Sequence, residues 1–210
     1  AAVIKNEIPA NVGAGLVAAG GSIVTSKATG KATLDVSSKN AFKAQEVDLE
    51  SLTGGTKTSD TNSKYTTEAI NRAVGVSAVT INVDKARTYN NMQATTTVDA
   101  IRIIDQIGEN RITPADLKIG ATNATSSNAY IHSVNVGVAG SGNNFAQTHD
   151  KSNVSITVAA GTTGLNAKDL EINAINSGAV DAKAVGTDVG ILRISPFAAR
   201  VEHESNSSTT

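Results

Sequence analysis

The chain repeats itself, and a repeat at a fixed interval restricts a fold more tightly than any single motif within it. Val12-Gly13-Ala14-Gly15-Leu16-Val17 leads on to Ala32-Thr33-Leu34-Asp35-Val36. After 62 residues, Val74-Gly75-Val76-Ser77-Ala78-Val79 leads in the same way to Ala94-Thr95-Thr96-Thr97-Val98. A third copy opens after the same interval at Val136-Gly137-Val138 and closes, two residues early, at Val154-Ser155-Ile156-Thr157-Val158. Asp48-Leu49-Glu50, Asp116-Leu117-Lys118 and Asp169-Leu170-Glu171 give a second anchor after each closing strand, and the 53-residue step between the last two carries Val136 to Val189. Residues 1–210 therefore read as one segment with copies starting near Val12, Val74, Val136 and Val189. The sequence begins at Ala1 and stops within a copy, so a mature chain or a piece cut from a longer array is expected.

Unequal gaps between the anchors place two insertions. One covers Thr53 to Thr67, where Thr, Gly, Ser, Asp and Asn predict an exposed loop. The other covers Asp99 to Pro114, where Ala100-Ile101-Arg102-Ile103-Ile104-Asp105-Gln106-Ile107 has apolar residues at both two- and three-residue spacing. A short helix is the expectation there, an extended strand the alternative.

Elsewhere the pattern has period two. Val154-Ser155-Ile156-Thr157-Val158, Leu117-Lys118-Ile119 and Val79-Thr80-Ile81-Asn82-Val83 each send one face inward and the other to water. Strands that superpose at a fixed interval can pair in parallel, copy upon copy, about 4.8 Å apart. The predicted class is all-β, a parallel β-helix (β-solenoid) built from internal repeats of 53–62 residues. A β-sandwich is the alternative, although it has no reason to keep a common interval. Composition agrees with a narrow interior: 40% of residues are hydrophobic but only 3% aromatic, with no Trp, so Ala, Val, Ile and Leu must do the filling.

Other classes are disfavoured. A net charge of −1 provides no long-range field for nucleic acid or an anionic membrane, and no run approaches the ~20 apolar residues that span a bilayer. With no Cys there is neither a disulfide framework nor thiolate metal chemistry.

The run from Val154 to Gly161, followed by Leu165-Asn166-Ala167-Lys168-Asp169-Leu170-Glu171-Ile172-Asn173-Ala174, resembles the passenger repeats of filamentous-haemagglutinin-like and leukotoxin-type bacterial surface adhesins, which are autotransporter-like. Val74-Gly75-Val76-Ser77-Ala78-Val79-Thr80-Ile81-Asn82-Val83 is similar to their small-residue strands. The resemblance implies a right-handed β-helix, export across a Gram-negative envelope, and service as stalk or adhesive surface in virulence.

Candidate sites are few. Val12-Gly13-Ala14-Gly15-Leu16-Val17-Ala18 matches a G-x-G-x-x-A dinucleotide fingerprint, with Asp35 placed for a ribose. No helical period follows it, and its equivalent at Val74-Gly75-Val76-Ser77 lacks the second Gly, so a close-packed strand is expected and no cofactor. Asp48, Asp116 and Asp169 recur at one repeat position and are weak candidates for Ca²⁺ ligands; the simpler reading is a turn acid bonding its own backbone. His132, His149 and His203 have no metal-ligand spacing and read as solvent-facing. Glu46, Asp48 and Glu50 alternate on one strand face, as acid–base sugar chemistry would require, but no aromatic platform for a sugar is evident. G-x-S-x-G is absent, and the Asn-x-Ser/Thr triplets at Asn123, Asn153 and Asn206 are expected by chance in so polar a chain.

The expectation is thus a non-enzymatic, rigid adhesive segment of an exported protein at the bacterial cell surface. Its insertions would project to bind a host or neighbouring-cell receptor or glycan, with Thr58, Asp60, Asn62 and Lys64 in the first, and Asp105, Glu109 and Arg111 in the second. A self-assembling subunit of an extracellular filament or surface layer, associating end to end, is the alternative. A β-helix carbohydrate-active enzyme is the third.

Overall fold

A computed structural model describes residues 3–37, 41–43, 46–53, 65–99, 102–106, 112–113, 116–159 and 167–210. Among these residues every regular element is a strand: β1 (Val3–Ser37), β2 (Ala41–Lys43), β3 (Glu46–Thr53), β4 (Tyr65–Asp99), β5 (Arg102–Gln106), β6 (Ile112–Thr113), β7 (Asp116–Val136), β8 (Ala139–Asp150), β9 (Asn153–Val158), β10 (Leu170–Val189), β11 (Leu192–Ile194), β12 (Phe197–His203) and β13 (Asn206–Thr209). The large sheet is parallel at every pairing. The antiparallel β-sandwich alternative is therefore not what this chain forms.

The register shows why. Val12 lies beside Val74 and Val36 beside Val98. Val74 lies beside Val134, and Val98 beside Val158. Val136 lies beside Val189. Paired residues are 63 and then 62 apart from β1 to β4, 70 apart from β3 to β7, 60 apart from β4 to β7, β8 and β9, and 53 apart where β10 to β13 join. Parallel pairing in this register keeps the inward columns of successive strands aligned, such as Ala94 with Val154 and Thr96 with Ile156. Val79, Ile81 and Val83 nonetheless face outward, and Thr80 and Asp84 take the inward positions between and beside them.

The register corrects three expectations. The partner of Val74 is Val134, not Val136, and a uniform step of 60 removes the early closure of the third copy. Asp116 stands beside Glu46, with Asp169 one step beyond Leu170 on its other side; Asp48 stands beside Lys118. Residues Asp99 to Pro114 contain no described helix: Arg102-Ile103-Ile104 extend along Ala41-Phe42-Lys43, and Asp105-Gln106 pair antiparallel with Thr113 and Ile112. Consecutive Ile residues are stiff at χ1 and favour a strand, and β2 offers them a parallel edge.

Side-chain parity reverses once per pass. In β4 the odd residues point inward as far as Ser77 and the even ones from Thr80 onward; the same change follows Asn135, at the bend Gly137-Val138. The two stretches face each other across the interior. Leu117, Ile119 and Ala121 of β7 pack against Ala94 and Val98 of β4 and Val154 and Ile156 of β9. A second cluster joins Ala129 and Ile131 of β7 to Val24, Ala86 and Ala146. No aromatic ring is among the buried hydrophobics of the described residues, as the composition requires of so thin a core.

Between the apolar clusters the interior is polar and bonds from pass to pass. Thr53 Oγ1 donates to Asn123 Oδ1 at 3.1 Å, and Asn123 Nδ2 to Asn176 Oδ1 at 2.8 Å. Asn82, Asn135 and Asp188 form a second ladder, with bonds of 2.8 and 2.9 Å. Thr53, Asn123 and Asn176, and likewise Asn135 and Asp188, are register partners, so each side chain meets its counterpart one strand spacing away. Asn82, whose own partner is Gly142, reaches Asn135 from the other side of the parity change.

Asp84 belongs to this interior and is 1% exposed. Ser22 donates to its Oδ1 through Oγ at 2.7 Å and through its backbone N–H at 3.1 Å, while Oδ2 has no partner among the described residues. Burial pushes the carboxyl above its ordinary range, and the Ser22 bonds only partly oppose this. The folded chain holds that proton more tightly than the unfolded chain, so stability falls as pH rises from the ordinary carboxylate range into the raised one. Asp84→Asn keeps the acceptor for Ser22 and removes the charge. We expect it to raise stability at neutral pH by on the order of 1 kcal/mol, with the gain vanishing toward pH ~4. Urea melts across pH check this; a gain that persists in acid would mean that ionisation is not the cause.

Candidate functional site

The same register that buries one set of side chains lines up the other set outside. On the outer face of β1, β4, β8 and β12, Lys27 lies beside Tyr89, Tyr89 beside His149, and His149 beside Glu202. The rings of Tyr89 and His149 are 6.1 Å apart at their centroids, tilted by 33°. His149 Nδ1 lies 2.6 Å from Glu202 Oε2, which orients the imidazole, and Arg200 Nη2 holds the other oxygen of Glu202 at 2.5 Å. In the next column Lys151 Nζ reaches Glu204 at 3.2 Å. Together Thr25, Lys27, Tyr89, Asn91, His149 and Lys151 line an open cleft of about 420 Å³, within the size range of small-ligand sites.

The cleft sits in a basic field. Lys27, Lys31, Lys85, Arg87, Lys151 and Arg200 project from this face, against Asp35 and Asp99 near the ends of β1 and β4 and the two glutamates Glu202 and Glu204. Both glutamates are already engaged by His149, Arg200 and Lys151, whereas Lys27, Lys31, Lys85 and Arg87 enter no ion pair among the described residues. A chain of net charge −1 thus carries one locally positive face. Such a face attracts anions over a distance set by salt screening.

The other candidates fall elsewhere. Asp116 and Asp169 flank Lys168, whose Nζ is 3.8 and 3.5 Å from them, and Lys118 pairs with Glu46. That acidic column is neutralised by lysines, its hydrogen bond to Glu46 holding the Lys118 ammonium above its ordinary value. Asp48 is in the neighbouring column and does not join it. No group of three or more His, Cys, Asp or Glu is placed to hold a metal among the described residues. Thr58, Asp60, Asn62, Lys64, Glu109 and Arg111 lie outside the described residues, and Asp105 enters only through its backbone pairing with Thr113. The Gly13-to-Ala18 fingerprint runs inside β1, where no helix N-terminus exists to meet a phosphate.

Of the histidines, His132 is solvent-facing as expected, but His149 is half-buried in the cleft. His203 Nδ1 lies 3.0 Å from Asp150 Oδ2, which is buried. Tyr89 with His149 forms an aromatic surface where none is evident from the sequence. Its signal was the 60-residue step: at 62 residues Tyr89 aligns with Lys151, and at 60 with His149. The comparisons with known proteins assign nothing further, since no family model, curated protein or solved structure matches the chain.

Proposed function

We propose that this chain is a stiff, right-handed β-solenoid segment of an exported bacterial surface adhesin, holding a binding face at a distance from the cell. The observation that supports this is the parallel register of the large sheet at steps of 62–63, 70, 60 and 53 residues, with interior polar bonds joining successive strands. Such a stack resists bending because bending stretches many parallel backbone bonds at once. Recognition in this reading falls on the outer cleft as well as on the two insertions. No catalytic role forms part of the proposal.

A second reading, the self-assembling filament or surface-layer subunit, has one observation in its favour. Val3, Ile4, Val12 and Leu16 on the β1 edge and Ile191, Leu192, Ile194 and Val201 near the opposite edge are exposed. Edges of this kind can accept another strand. Small-angle scattering over a concentration series separates the two: a constant maximum dimension fits the stalk segment, and growth with concentration fits the subunit. Antibody labelling of intact producing cells tests location. Surface labelling without lysis is the expected result, and labelling only after lysis would overturn the surface assignment.

A further inference from the structure

The ligand class of the outer cleft follows from the chemistry of its walls, and this step rests on the surface-adhesin reading. We infer that the Tyr89 cleft binds an acidic polysaccharide, one bearing uronic-acid carboxylates between neutral sugars. Three features of the face converge on it.

The ring of Tyr89, backed by the tilted ring of His149, is a flat apolar surface within a polar column. The C–H face of a pyranose stacks on such a surface and leaves its hydroxyls at the rim. Thr25, Asn91 and the phenol oxygen of Tyr89 supply donors and acceptors at that rim. Lys27 on one side and Lys151 on the other place ammonium groups where carboxylates of a bound chain would lie, with Lys31, Lys85 and Arg87 extending the positive field along the sheet. Lysines suit this task as hydrated point charges that need no fixed fork geometry.

The same walls argue against nucleic acid. A polynucleotide carries a phosphate at every step, and part of its backbone would have to run over Glu202 and Glu204 at the β12 end of the cleft. A polysaccharide charged at alternate sugars can set a neutral sugar there, and its hydroxyls donate to those carboxylates. The cleft is open and continuous with the face, which suits a chain passing through it more than an enclosed monosaccharide.

Calorimetric titration of the purified chain with a hyaluronate hexasaccharide, which alternates glucuronate with N-acetylglucosamine, tests the inference. Binding is expected, and it should weaken as salt is raised. Lys27→Ala should weaken it about fivefold and Tyr89→Ala at least about tenfold, Tyr89→Phe should retain most of it, and Lys183→Ala on the outer face of β10 should leave it unchanged. Circular dichroism confirms that each variant is folded, and Tyr89→Phe keeps the test decisive if the alanine variant is not. A neutral dextran oligomer should not compete. Absence of hyaluronate binding, equal binding by dextran, tighter binding of single-stranded DNA, or indifference to both Lys27→Ala and Tyr89→Ala would overturn the inference. If the chain labels on intact cells yet ignores hyaluronate, the ligand class fails alone. If it binds hyaluronate but never reaches the surface, the surface reading fails and the cleft stands.

Discussion

Gly137→Val should destabilise the chain by about 3 kcal/mol, the upper part of the range for overpacking a tight site. A Cβ on Gly137 would lie 1.8 Å from the carbonyl oxygen of Ser77 and 2.7 Å from Nη2 of Arg193. Ser77 is backbone in the preceding pass and cannot swing away as a side-chain tip could. The next pass has the same restriction, since a Cβ on Gly190 would come within 2.2 Å of the Gly137 carbonyl oxygen. At this corner, where the inward parity reverses after Asn135, the passes stay bonded backbone to backbone, Gly137 N–H to Val189 O at 2.9 Å and Val138 N–H to Ala78 O at 3.1 Å, so the Ser77 carbonyl in the path of a Cβ is held in place. Gly20→Ala is the contrasting case, because its Cβ would meet nothing closer than 3.8 Å, and an effect within ±0.5 kcal/mol is expected. Urea unfolding followed by circular dichroism gives both values. A Gly137→Val loss no larger than that of Gly20→Ala would show that the corner relaxes freely and that the passes are not locked there.

The fold was legible in the sequence to the extent that period-two patterning can make it so. A slip of one residue turns every side chain to the wrong face and is detectable from hydropathy alone. A slip of two leaves all faces correct and is nearly silent. Val134-Asn135-Val136 offers a Val at both positions, and the Gly that follows Val136 imitates the Val-Gly pair at Val74-Gly75. Choosing Val136 therefore misplaced the third copy by two residues without disturbing its inward pattern. Glu46-Val47-Asp48-Leu49 set the same trap, offering two acid–aliphatic pairs two residues apart, of which Glu46-Val47 is the one beside Asp116-Leu117.

The candidate site suffered more than the fold from that error. Core columns tolerate a two-residue slip because Ala, Val and Ile substitute for one another there. An outer column is defined by particular functional groups. Shifting the third copy by two puts Lys151 where His149 belongs and dissolves the Tyr89–His149 pair into separate polar residues. The basic face was hidden for a related reason: Lys27, Lys85, Arg87 and Lys151 are far apart in sequence, and a net charge of −1 averages over faces that the register keeps distinct.

The interior ladders were not legible at all, since Asn and Asp in a strand look like solvated positions, and they underlie the second large effect. Asn135→Asp should cost about 3 kcal/mol near pH 7, and the loss should shrink steeply as the pH falls into the carboxylate range. Asn135 is 1% exposed. Its Oδ1 accepts from Asn82 Nδ2 at 2.8 Å, and its Nδ2 donates to Asp188 Oδ1 at 2.9 Å and to Ser133 Oγ at 3.1 Å. The substitution exchanges that amide donor for an oxygen and sets a fully buried carboxylate against the partly buried one of Asp188. Arg193, whose Nη1 is 3.6 Å from Asp188 Oδ1, supplies one positive charge for both. The pair must then share a proton, so the new carboxyl binds protons more tightly in the folded chain than in the unfolded one. Its penalty is full above the raised value and is relieved as the pH falls through it. Asn135→Ala separates this charge effect from simple loss of the ladder: it should cost about 2 kcal/mol with no added pH dependence. Chemical denaturation of both variants and of the parent at neutral pH and near pH 4 makes the comparison. Equal losses for Asn135→Asp at the two pH values would mean that the buried ladder is open to solvent, and the pass-to-pass bonding on which the stiffness of the segment depends would have to be abandoned.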